Sequence, residues 1–136
     1  MPVTMDHMLV PVRDNEESAR FVAHILGLPY KGLRNRFAPV RLSDGLILDF
    51  ATSEKFEREH YAFKVSEEEF DQIFARIKES GLIYGSEPRA QDNMEINTHR
   101  GGRGVYFKDP SGHSLEVITA TYQDDNRPSR PNNAQA

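Results

Sequence analysis

Asp6-His7 and Glu59-His60 each open a strand-like run in which the fifth residue beyond the histidine is valine, Val12 and Val65. Each run leads into a helical pattern that ends on glycine, Gly27 lying 20 positions after His7 and Gly81 lying 21 after His60. At the far end of each half a glycine precedes a carboxylate by four residues, Gly45 before Asp49 and Gly112 before Glu116. A chain that repeats its plan in this way is built from two copies of one supersecondary unit. With 136 residues in all, the two copies have to share a single core, because neither half is long enough for an independent domain.

Local signals fill in the unit. In the first half, Met5 to Val12 is apolar and β-branched over a length suited to a strand. Asp14 stands as a helix N-cap with Glu17 as its capping-box partner, and the helix spans roughly 15–26 with Ala19, Val22, Ala23 and Leu26 on one stripe. Strand-like stretches follow near 29–33, 37–43 and 46–51, the last two separated by the turn pair Asp44-Gly45. The second half has a strand at 60–65, Ser66 as N-cap with Glu69 three residues on, and a helix carrying Phe70, Ile73, Phe74 and Ile77 up to the stop at Gly81. A short strand near 82–85, a polar loop, Gly104 to Lys108, the turn Asp109-Pro110-Ser111-Gly112 and a strand His113 to Thr119 complete it. Each half thus reads βαβββ. One domain is expected over 1–122, with modules at about 4–51 and 59–122, and the polar segment 123–136 is expected to be disordered.

Strand alternation then sorts the polar residues. Met8, Val10 and Val12 face the first helix, which puts His7 on the opposite side of its strand; Tyr61, Phe63 and Val65 do the same for His60. Leu48 and Phe50 exclude Asp49 from the helix side, and Leu115 and Val117 exclude Glu116. If the two sheets curve toward each other, His7, Asp49, His60 and Glu116 converge in the cleft. Two imidazoles with one or two carboxylates suit a hard or borderline divalent ion. Cysteine is absent, so thiolate ligands and disulfides are excluded. Residues 1–12 also lack the charged start and long apolar run of a secretory signal, which favours the cytoplasm. A net charge of -4 without a basic stripe gives no footprint for nucleic acid, and no apolar run approaches a membrane span.

The openings Asp6-His7-Met8-Leu9-Val10 and Glu59-His60-Tyr61-Ala62-Phe63, the helix end Ile25-Leu26-Gly27-Leu28, and above all the stretch from Val105 to Glu116 resemble the vicinal oxygen chelate superfamily of glyoxalases, bleomycin-resistance proteins and extradiol dioxygenases. That resemblance, covering residues 4–122, implies an α+β fold in which paired βαβββ modules form a U-shaped cup around one divalent metal such as Zn, Ni, Mn or Fe. It implies ligand roles for His7, His60 and Glu116. Asp49 occupies the place where glyoxalase I enzymes carry a Glu ligand, and the substitution leaves the fourth ligand open. Tyr106, on the cup face of its strand, resembles an active-site tyrosine of extradiol dioxygenases and fosfomycin-modifying members. Arg41, Asn97, His99 and Arg103, on a strand or in the polar loop, are candidates for substrate contact, whereas His24 and His113 read as structural.

Three functions compete for such a cup. The favoured expectation is a glyoxalase I-like lyase or isomerase acting on a small substrate held through two oxygens, with Glu116 or Asp49 as base. The second is an Fe(II) extradiol-type dioxygenase using His7, His60 and Glu116 with Tyr106 as acid. The third is a non-catalytic binder of a small molecule such as an antibiotic. A homodimer is expected, because modules this small leave sheet edges open, and in many members of the superfamily the two modules of one cup come from different chains.

Overall fold

The computed structural model describes residues 2–121; the tail expected to be disordered lies outside them. The first half gives β1 (His7–Val12), α1 (Asn15–Leu26), β2 (Ala38–Arg41) and β3 (Ile47–Thr52). The second gives β4 (His60–Lys64), α2 (Glu67–Glu79), β5 (Tyr84–Gly85), a 3-10 turn (His99–Gly101), β6 (Gly104–Lys108) and β7 (Ser114–Ile118). The strands form two sheets, ordered β1-β3-β2 and β4-β7-β6-β5. In each, the strand that precedes the helix pairs parallel to the last strand of its own half, with Leu9 opposite Asp49 and Ala62 opposite Glu116. The fold is α+β, made of two βαβββ-like modules.

The helices start where the capping residues stand. Asp14 accepts from the Glu17 amide at 3.1 Å, and Ser66 accepts from the Glu69 amide at 3.1 Å. Only α2 closes the full capping box, its Glu69 carboxylate reaching back to the Ser66 amide at 3.0 Å. In α1 the expected partner Glu17 is taken instead by Arg13, at 2.9 Å, so that helix has a single-sided cap. Gly27 ends α1 in the left-handed region at φ 74°, which a side chain at that position would resist.

One expected strand is missing. Residues 29–33 form no ladder; the first half has only the isolated bridge Arg34–Phe37 in that place. Pro29 has no amide proton to give, and the positive φ of Gly32 (98°) and Asn35 (56°) breaks the extended path on either side of the bridge's start. Tyr30 is held elsewhere, its hydroxyl donating to Glu16 on α1 at 2.7 Å.

The two modules pack through their helix-facing sides. Val10, Leu48 and Phe50 of the first sheet and Tyr61, Phe63 and Leu115 of the second line one shared internal cavity, and a single apolar cluster runs through both halves. His113 fastens the joint. It is 1% exposed, its Nδ1 accepts from the Glu59 amide at 2.9 Å, and its Nε2 donates to the Pro11 carbonyl at 2.7 Å. Asp109, also buried, accepts from Ser18 of α1 at 3.0 Å and from the His113 amide at 2.8 Å. His113 is structural, as its sequence position implied, while His24 lies exposed in the last turn of α1.

Candidate functional site

This packing decides where the candidate ligands go. Because the helix sides of both sheets face each other, alternation sends His7 and Asp49 to the outer face of the first sheet and His60 and Glu116 to the outer face of the second. A single chain therefore does not bring the four together. Among the described residues no group of three or more His, Asp or Glu side chains stands where it could hold a metal. Instead these residues fall into two groups, one per module.

The second module carries the richer one. His60 Nε2 lies 3.0 Å from Glu116 Oε1, and the His60 ring stacks on Tyr106 with centroids 5.9 Å apart. The register explains the grouping, since Tyr106, Glu116 and Ala62 are direct neighbours across β6, β7 and β4, and His60 is the next residue on that face of β4. Tyr106 is buried, and its hydroxyl is pushed well above the ordinary tyrosine range, first by that burial, then by the negative charge of Glu116 and the hydrogen bond to it, with Glu87 adding and Arg100 opposing. The phenol therefore keeps its proton at neutral pH. Glu116 is 16% exposed and His60 51%, so the pair opens to solvent on the imidazole side.

The first module supplies the other part. His7 is exposed, with Nδ1 2.7 Å from the carboxylate of its neighbour Asp6. Asp6, His7 and Asp49 line one open depression together with Arg34, Asn35 and Pro39. Among the described residues the carboxylate contact of His7 is made through Nδ1 and not through Nε2. The donors present fit a divalent ion by type, an imidazole and a carboxylate in one module and an imidazole beside a carboxylate in the other, but a single chain brings only two of them together at the His60 site.

The substrate-contact candidates fare unevenly. Arg103 sits on the helix side of its sheet, its guanidinium paired with Glu67 at 2.8 Å and Asp71 at 2.9 Å and lying 4.5 Å over Phe70; it braces α2 and does not face the site. Asn97 is buried, donating to the Ser86 carbonyl at 2.8 Å and accepting from the His99 amide at 3.1 Å, so it organises the loop. Arg41 donates to the Gly45 carbonyl at 3.3 Å within its own hairpin. His99 pairs with Glu87 at 3.0 Å, and Glu87 is among the charges that act on Tyr106. Two residues near the site escaped the sequence reading: Arg100, whose charge reaches Tyr106 from the loop, and Ser114, 3.4 Å from His60 Nδ1. Ser114 was within reach of strand alternation, since it lies two residues before Glu116 and shares its face. Arg100 was not, because no periodicity governs the loop that carries it.

Residues 4–117 match the family described as the Glyoxalase/Bleomycin resistance protein/Dioxygenase superfamily, and this chain belongs to it. Among solved structures it is similar to Oxidase ChaP-H2, with 46% sequence identity, a TM-score of 0.85, and coverage of 90% of this chain and 97% of that one. It is also 29% identical over 130 residues to the metallothiol transferase FosB of Lysinibacillus sphaericus (strain C3-41), covering 89% of this chain and 85% of the relative. With the glutathione transferase FosA of Serratia marcescens it shares 25% identity over 121 residues, 84% of this chain and 79% of the relative. The relatives are mostly enzymes. No helix among the described residues is long and apolar enough to cross a membrane.

Proposed function

We propose that this chain is a metal-dependent oxidase of a small molecule bound through two oxygens, working as a homodimer in which each cup joins His60 and Glu116 of one chain to His7 of a second copy. The observation that carries the oxidative reading is the 46% identity to Oxidase ChaP-H2 across 97% of that chain. It moves the preference away from lyase or isomerase chemistry and toward the second of the three expected functions. The dimer rests on geometry: the two outer faces carry complementary parts of a donor set, and neither face is complete alone.

His60, Glu116 and the second copy's His7 would hold a divalent ion, which would supply Lewis-acid polarisation of substrate oxygens and, if iron, redox chemistry. The protein's own groups do the rest. Tyr106 keeps its proton beside Glu116, and its hydroxyl is placed to hydrogen-bond an oxygen of the substrate. Its hydrogen bond to Glu116 also fixes the carboxylate's orientation. Arg100 adds positive charge that acts on the Tyr106 hydroxyl against the negative charge of Glu116 and Glu87. Asp49 stays with His7 on the first module, as a partner of the ligand set and not as a required donor.

A second reading, thiol transfer to a small electrophile, follows from the similarity to FosB. One experiment separates the two. Protein reconstituted with Fe(II) is offered catechols and other phenols with adjacent oxygens, and oxygen uptake is followed; the same protein with Mn(II) is offered an epoxide and a thiol. Oxygen uptake that depends on His60 and Glu116 supports the oxidase. Thiol consumption without oxygen uptake on any phenol supports the transferase and defeats the oxidase.

A further inference from the structure

The His60 ring is held at both nitrogens. Nε2 faces Glu116 at 3.0 Å, and Nδ1 faces the Ser114 hydroxyl at 3.4 Å. Ser114 stands directly opposite His60 in the parallel β4–β7 ladder, so the contact is built into the register. Behind Ser114 is Gln91. Its Nε2 donates both to the Pro88 carbonyl and to Ser114 Oγ, each at 3.0 Å, which commits both amide hydrogens. Its Oε1 is buried and has no protein partner. Turning the amide over would set Oε1 against the Pro88 carbonyl, two acceptors facing each other, so Pro88 fixes which end of the amide meets Ser114.

An orphaned buried acceptor is uncommon in a folded chain and calls for a compensating role. Here the compensation is the donor given to Ser114. The loop is fitted for the purpose: Gly85 lies opposite Tyr106 in the sheet, and a Cβ at Gly85 would overlap the Ala90 carbonyl and the Gln91 backbone, so only glycine lets that loop settle where Gln91 reaches Ser114.

We propose that Gln91 and Ser114 are positioning residues that set the orientation of the His60 ring, an assignment that rests on His60 being a metal ligand. With one Ser114 lone pair occupied by Gln91, the hydroxyl keeps one hydrogen and one lone pair for His60. It donates to Nδ1 when Nε2 carries the hydrogen that faces Glu116. It accepts from Nδ1–H when Nε2 turns its lone pair to a metal, which is the outer hydrogen bond a ligating imidazole requires. The same pair of residues therefore serves both forms of the ring without moving it.

The test uses the full-length chain, Zn2+ as probe, and the 15N resonances of the His60 ring. Ser114→Ala and Gln91→Leu should each weaken Zn2+ binding by about 10–100-fold, while Ser114→Thr, which keeps the hydroxyl, should stay within a few-fold of the parent. In the metal-free protein the His60 Nδ1 resonance should move in Ser114→Ala and in Gln91→Leu but not in Ser114→Thr. Unchanged Zn2+ affinity together with an unchanged Nδ1 resonance in folded Ser114→Ala overturns the proposal. If the parent protein takes up no Zn2+, the metal centre itself fails, and the metal-free Nδ1 resonance still decides whether Gln91 and Ser114 position the ring.

Discussion

At the scale of single residues, the period of two along a strand assigns each side chain to one face of its sheet. The sides of β1, β3, β4 and β7 on which His7, Asp49, His60 and Glu116 lie follow directly from the apolar residues beside them, and the structure keeps every one of those faces. Arg103 misled because its neighbourhood in sequence, a glycine-rich run, says nothing of Glu67 and Asp71, which lie more than thirty positions earlier and capture it. Asp49 tests the oxidase reading at this scale. Three protein ligands leave room for two substrate oxygens and dioxygen, and a fourth carboxylate would fill one of those places. Asp49→Ala should therefore change metal affinity by less than about tenfold, whereas His60→Ala and Glu116→Ala should abolish tight binding. Titration calorimetry on the three variants checks it; a loss in Asp49→Ala as large as in Glu116→Ala would restore the four-ligand, isomerase-like site.

At the scale of elements, helices were the most legible parts because their ends are chemically marked. Ser66, Glu69 and Gly81 delimit α2 from sequence alone, and the structure closes the box that the spacing implies. The stretch 29–33 reads as strand-like yet forms no ladder, because Pro29 has no amide donor and Gly32 leaves the extended backbone. The capping box also makes a pH-dependent prediction. Hydrogen bonds from the Ser66 backbone and side chain hold the Glu69 carboxyl below its ordinary value of 4.5. A carboxyl whose folded value is depressed contributes stability that is fully present above the unfolded value and is lost as pH falls through the folded one. Ser66→Ala should accordingly destabilise the protein at neutral pH, with the gap to the parent narrowing as pH drops below 4.5. Urea unfolding at several pH values reads both effects, and a gap that stays constant into acid would show that Glu69 takes no part.

At the scale of the whole molecule, repetition in the sequence announced two modules but could not announce how they are joined. Nothing local distinguishes two sheets that curve toward each other from two sheets that meet through their helix sides; that choice is made by non-local contacts such as His113 to Pro11 and Ser18 to Asp109. The outcome turns the faces that carry His7, Asp49, His60 and Glu116 outward, and the proposed dimer would complete each with another chain. Mixing two defective variants tests this most directly. His7→Ala and Glu116→Ala are each expected to bind no metal tightly; after the two are unfolded together and refolded, about a quarter of the cups should contain His7, His60 and Glu116 at once and recover tight binding. A mixture that binds no more metal than its separate components, with both variants folded and dimeric, would contradict a site shared between chains.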